Sequence, residues 1–186
     1  MKILEFRKIR RSDRCDEKYV AWSRIYEYPL IMDMIKKYSD VKNPSLHNTS
    51  WGFEGCHVTF KNDLDHILSD CIHSDIKVSN LPKTEIWDIT KSSRSEWHDN
   101  FDVVINVSTL EEVDYDHVEI FDNLLAQVKP GGLLICTFDL PGLDLPKFEN
   151  MFSNIERFDD ELNNHNSNIP AFKERNLECG LMVIQK

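Results

Sequence analysis

The 186-residue sequence has no hydrophobic run near the roughly 20 residues that span a bilayer, which excludes a membrane-crossing helix. Its N-terminus carries basic residues with no apolar stretch after them, so it does not read as a secretory signal. Paired cysteines are missing too. The five, at 15, 56, 71, 136 and 179, are odd in number and scattered, with no C-x-x-C. That usage predicts free thiols in a reducing, cytoplasmic setting, and leaves the sequons at Asn48 and Asn106 without weight. Excess positive charge is absent: the net charge of -10 argues against nucleic acid, whose phosphates are held by clustered Lys and Arg. The one basic cluster, Arg7 to Arg11, reads as a solvated tail. No G-x-x-x-x-G-K-S/T loop supports nucleotide triphosphate hydrolysis, and no G-x-S-x-G supplies a hydrolase elbow. Internal repeats and low-complexity linkers are also lacking.

What is present is the patterning of one ordinary soluble α/β domain over residues 1–186. Residues 16–38 read as helical, with Pro29 breaking the run. A short strand candidate lies around Leu46, weakened by His47-Asn48-Thr49-Ser50, and Trp51 to Gly55 reads as a turn by its glycines. The apolar residues of His57 to Leu68 form one helical stripe. Cys71 to Asp75 and Glu85 to Ile89 look like strands, and the apolar run Phe101 to Asn106 suits a strand covered on both faces. Residues 116–128 read as a helix, stopped by Pro130-Gly131-Gly132 before a second buried strand, Leu133 to Phe138. Such β–α–β alternation means a parallel sheet with right-handed crossovers. Lys147 to Phe152 reads as helical, the Asn-rich stretch 163–168 as a loop, and Gly180 to Ile184 as a closing edge strand. The expected architecture is a three-layer Rossmann-like sandwich: an N-terminal helical segment, a core over about 42–140, and an antiparallel C-terminal edge within 141–186.

Segment 101–138 carries the most information. By its residues alone it is two parallel strands and a crossover helix, a unit found in many folds. Its strand, its polar loop Asn106 to Val113, its helix and its Val128-Lys129-Pro130-Gly131-Gly132-Leu133-Leu134-Ile135 together resemble the second half of the class I S-adenosylmethionine (SAM)-dependent methyltransferase core. The resemblance extends over about residues 19–145. It implies SAM as cofactor and S-adenosylhomocysteine (SAH) as product; the acidic surface and the lack of a separate recognition domain favour a small-molecule acceptor such as a sugar or metabolite over nucleic acid.

The same resemblance implies a site. Asp75, ending the second of the family's strands, would meet the ribose hydroxyls. Asp88, with Ile89 after it, would lie at the adenine, and Asn106 beside the methionine part. The first loop departs from the family's "vLDvGcGtG": His47 stands where an acid is expected, Thr49 and Trp51 replace glycines, and Gly52 and Gly55 are left to supply one tight turn. Arg24, Tyr26 or Tyr28 would meet the carboxylate of the cofactor from an N-terminal helix. Glu111, Glu112 and His117 are the candidate bases for the acceptor. Bland readings stand beside these: Asp75 as a cap, Asp88 in an Asx or ST turn with Thr90, the acids 111–112 as a solvated helix start. Cys71 and His73, with Cys56 and His57, lack the spacing of a zinc knuckle, and D-x-D at 63–65 and 114–116 is too short to carry a glycosyltransferase. A methyltransferase-like module without catalysis is the other reading of the altered loop.

Overall fold

The apolar run that begins at Phe101 forms a central strand. The computed structural model describes residues 1–20, 23–52, 54–140, 142–143, 147–148 and 178–186. In chain order these build β1 (Lys2–Lys8), α1 (Arg24–Tyr38), β2 (Leu46–Thr49), α2 (Cys56–Ile67), β3 (Cys71–Asp75), β4 (Thr84–Ile86), β5 (Phe101–Val107), α3 (His117–Gln127), β6 (Val128–Leu140) and β7 (Glu178–Gln185). One seven-stranded sheet has the order β1-β7-β6-β5-β2-β3-β4. Strands β2 to β6 pair in parallel, and β7 runs antiparallel to both β6 and β1.

Strand alternation sorts the side chains into two cores. Val103 and Ile105 of β5 face α1 and α2, packing with Tyr28, Ile31, Phe60 and Leu64. Val104 faces the other way, toward Ile120, Phe121 and Leu124 of α3. The result is the expected three-layer sandwich, mostly parallel with an antiparallel end. The outermost strand at that end is β1, and β7 lies one place further in.

The basic cluster is therefore only partly a tail. Arg7 and Lys8 belong to β1, where Arg7 meets Asp13 at 2.8 Å and Lys8 meets Glu178 at 2.5 Å. The first helix is also shorter than its apolar pattern, starting at Arg24 rather than at 16, and Pro29 lies inside it. A proline removes the N–H that would bond the carbonyl four residues back. Here that carbonyl belongs to Ile25, and it accepts from the Asp16 N–H at 2.8 Å, so the helix continues without an orphaned acceptor. At the other end of the core, α3 is capped by Asp116, whose side chain accepts from the Val118 N–H at 2.8 Å.

Pro130-Gly131-Gly132 does not stop the helix, which ends at Gln127; it forms the bulged start of β6. Phe101 pairs with Val128 and Val103 already with Leu133, so extra residues loop out between them. Gly131 takes φ +82°, and a Cβ on Gly132 would stand 2.7 Å from the Asp102 carbonyl. Further on, Lys147 and Phe148 are helical as their pattern predicts. The remainder of that expected helix, the loop at 163–168 and Phe53 lie outside the described residues. No helix among the described residues is long and apolar enough to cross a membrane.

Gly180 on β7 leaves room for the Phe138 ring of its neighbour, since a Cβ there would meet that ring at 2.2 Å. Gly180→Ala should destabilise the fold by about 1–3 kcal/mol through overpacking. An unchanged urea midpoint would mean that the ring is free to move aside.

Candidate functional site

Strand β2 is the polar segment Leu46-His47-Asn48-Thr49, yet it sits in the middle of the sheet with every residue buried. Cross-strand bonds answer its polarity. His47 Nδ1 lies 2.5 Å from Gln127 Oε1, and its Nε2 lies 2.7 Å from Ser74 Oγ. Thr49 Oγ1 donates to the Ile105 carbonyl at 2.8 Å and accepts from Asn106 Nδ2 at 2.9 Å. From β2 the chain proceeds to β3 on one side and later returns to β5 on the other. Parallel sheets open a crevice at such a switch point, at the carboxyl ends of the strands.

A cleft of about 550 Å³ lies there, lined from β2 and its loop by Asn48, Ser50, Trp51 and Gly52. Asp75, Ile76 and Lys77 line it from the end of β3, and Asp88, Ile89 and Thr90 from the segment after β4. Arg24 and Tyr28 of α1 and His57 of α2 close one side, while Val107 ends β5 and Thr109 and Val113 follow it. Ser50, Gly52 and Gly55 take φ of +54°, +57° and +59°, so the turn keeps a left-handed path with few glycines. Gly52 has a steric reason as well: a Cβ there would lie 3.0 Å from the His57 ring. Its N–H donates to Asp75 Oδ2 at 3.3 Å. Trp51 is held against β3, with its backbone N–H donating to the Ser74 carbonyl at 3.3 Å and its ring 6.2 Å from that of His73.

Asp75 also accepts from the Lys77 N–H at 3.1 Å. Asp88 accepts from the Thr90 N–H at 2.9 Å and the Thr90 hydroxyl at 2.7 Å, and these bonds hold its carboxyl below the usual range. The Asx turn with Thr90 thus exists on the cleft wall. On α1, Glu27 is fully buried. It takes Arg24 on one oxygen and Ser108 and Thr137, at 2.5 and 2.6 Å, on the other. Burial opposes its charge, but Arg24 and these donors keep the carboxyl low. Tyr28 hydrogen-bonds His57, and burial lowers the affinity of that imidazole for a proton.

Of the residues singled out from sequence, Gly52, Asp75, Asp88 and Ile89 line the cleft together with Arg24 and Tyr28. His47 and Thr49 lie beneath it, spent on bonds to the sheet and to Gln127; Asn106 donates to Thr49 there, its Oδ1 buried without a hydrogen-bond partner among the described residues, and Tyr26 packs against the core. Glu111, Glu112 and His117 are not among the lining residues: Glu111 accepts from the Asp139 N–H, Glu112 is exposed, and His117 opens α3. Sequence reasoning misses Asn48 and His57. Two-residue alternation is the available signal for Asn48, because it puts that side chain on the face opposite His47. His57 has none beyond following the loop.

Away from the cleft, Asp65, Cys71 and His73 bring their ligand-type atoms within 4.8 Å of one another. Asp65 is already held by Lys61 at 2.6 Å and Lys83 at 3.2 Å, two ammonium groups that a cation would have to displace.

Burial pushes the Glu111 carboxyl up to about 8, so its neutral form is the one the fold favours. That contribution is complete below its unfolded value of about 4.3 and is lost as pH rises through the folded one. Glu111→Gln, neutral at all pH, should therefore gain on the native chain in urea midpoint between about pH 5 and pH 9. A constant difference would contradict the burial.

No protein-family model matches the chain, and no curated protein sequence does so. Solved structures do. A SAM-dependent methyltransferase from Mesorhizobium loti matches with TM-score 0.60 and 13% identity, over 90% of this chain and 99% of that one. The [4+2]-cyclase SpnF matches with TM-score 0.57 and 11% identity, over 97% and 87%. The 1,6-didemethyltoxoflavin-N1-methyltransferase of Burkholderia thailandensis, solved with 1,6-didemethyltoxoflavin and SAH bound, gives TM-score 0.56 and 8% identity, over 85% and 76%. With its strand order, its switch-point cleft and these matches, the chain has the Rossmann-like fold of the class I SAM-dependent methyltransferases.

Proposed function

We propose that the chain binds SAM in this cleft and transfers its methyl group to a small-molecule acceptor. One observation carries the reading: an open cleft of about 550 Å³ at the carboxyl ends of β2 to β5, rimmed by Asp75 and Asp88. That volume is within the roughly 300–1,000 Å³ of small-molecule sites. The residues present suit the cofactor. Asp75, a carboxylate at the end of β3, can accept from both hydroxyls of a ribose. Asp88 and Ile89 can take the adenine, Gly52 allows close backbone approach, and Arg24 with Tyr28 offers donors to a carboxylate.

When bound, SAM supplies an activated methyl on a sulfonium. The protein's part is to orient the two reactants and exclude water. Glu111, Glu112 and His117 lie off the lining, so the proposal gives them no proton to move. The toxoflavin-type methyltransferase supports a small acceptor by its bound substrate, and the net charge of -10 supports partners other than nucleic acid. All five cysteines are free, which suits a reducing, cytoplasmic location. A ligand-binding module without catalysis is the second reading, favoured by the absence of those three acid–base candidates from the lining.

Calorimetric titration with SAH tests the cofactor reading. The folded chain should bind, and Asp75→Ala should weaken binding by about 10-fold or more through loss of charge-assisted bonds. No heat at about millimolar SAH would overturn the reading; equal affinity would remove Asp75 from the ribose.

A further inference from the structure

The hydrogen bonds around His73 fix more than the sheet. Asp65, near the end of α2, has one oxygen 2.6 Å from Lys61 Nζ, and the other 3.2 Å from Lys83 Nζ and 3.4 Å from His73 Nε2. Lys61 is itself only 2% exposed. Between two ammonium groups Asp65 is an ionised carboxylate, and it can only accept. A bare lone pair at His73 Nε2 would face that carboxylate, so this nitrogen carries the ring's proton, and the Cys71 sulfur, 3.5 Å away, is a second acceptor beside it. His73 is fully enclosed, and burial keeps it neutral, so it has a single N–H and its Nδ1 is a bare lone pair.

That lone pair lies 3.1 Å from the side-chain amide of Asn48. Only the NH₂ end of the amide can satisfy it, which settles an orientation that heavy-atom positions alone leave open. Asn48 is 2% exposed and lines the cleft. The bond to His73 is the only hydrogen bond of its side chain among the described residues, so its carbonyl oxygen has no protein donor there.

We propose that Asn48 is a ligand-recognition residue, and that Asp65 and His73 are positioning residues that turn its carbonyl oxygen toward the cleft to accept from an amino group of the ligand. The inference rests on the cofactor reading. With Asp75 given to the ribose, Asp88 to the adenine and Arg24 to the carboxylate, the donor left in SAM or SAH is the α-ammonium of the amino-acid part. A hydrogen bond from a charged donor is among the stronger ones, and an acceptor held in advance loses little on binding. In the trio Asp65, Cys71 and His73, two ammonium groups and an imidazole N–H already converge on Asp65.

The test is calorimetric titration of the full chain with SAH and with its analogue lacking the α-amino group. The native chain should prefer SAH by about 10-fold or more. Asn48→Ala should bind both ligands alike, at the native affinity for the analogue. His73→Leu, which frees the amide to turn over, should lose most of the preference, and His73→Gln, whose carbonyl can accept the same N–H, should restore part of it. A fall in affinity for both ligands together would be a merely structural effect and would overturn the positioning role. No preference in the native chain, or an undiminished one in Asn48→Ala, overturns the recognition role while leaving the cofactor reading intact. Failure of the native chain to bind either ligand overturns both.

Discussion

The structure depends on one constraint: the polar strand β2 lies inside the sheet, and its side chains must find partners on the elements around it. Leaving a polar group buried without a partner costs on the order of 1–3 kcal/mol, so three consecutive polar side chains there demand partners. They find them on both sides. His47 reaches Ser74 on β3 and Gln127 at the end of α3, Asn48 reaches His73, and Thr49 bridges to β5. Gln127 in turn donates to the Asn123 carbonyl at 3.1 Å, which leaves its oxygen for His47 Nδ1. The neighbours of β2 are thus chosen by hydrogen bonding as much as by apolar packing.

This constraint positions the cleft. Because β2 is locked in register with β3 and β5, the turn from Ser50 to Gly55 starts at a fixed height, and Gly52 can donate to Asp75 across the gap. The wall formed by α1 is set by a second buried polar group. Glu27 ties that helix to Ser108 after β5 and to Thr137 on β6, and its partner Arg24 faces the cleft. Removing either ion would strand the other, so this pair fixes where the helix stands even if its net contribution to stability is small. Pro29 fits the same helix because Asp16 takes up the carbonyl it frees.

Periodicity makes much of this legible. The apolar runs at 101–107 and 117–127 have the right period, and they and the short strand at 71–75, which ends on an acid, fall within a residue or two of the pattern. The failures have physical causes. His47 to Thr49 read as a weak strand, because sequence does not disclose partners 25 to 80 residues away. The first helix is shorter than its pattern because residues 16–20 form turns, with Tyr19 buried in the core and Val20 exposed. Arg7 and Lys8 read as solvated, although Asp13 and Glu178 draw them into the sheet. In the site, Asp75 and Asp88 can be located from strand ends alone. Asn48 needs the two-residue alternation as well, because the family pattern points to His47, one residue away and on the other face.

The most direct test is the protonation of the two imidazoles, one on β2 and one beside it. Opposed partners assign opposed tautomers: Nδ1–H for His47, facing Gln127, and Nε2–H for His73, facing Asp65. Burial lowers His47 to about 3 and His73 to about 4. A ¹⁵N spectrum of the histidine side chains should show these two neutral tautomers unchanged from neutral pH down to about pH 5. The same tautomer at both positions, or titration near the ordinary histidine value, would contradict the account.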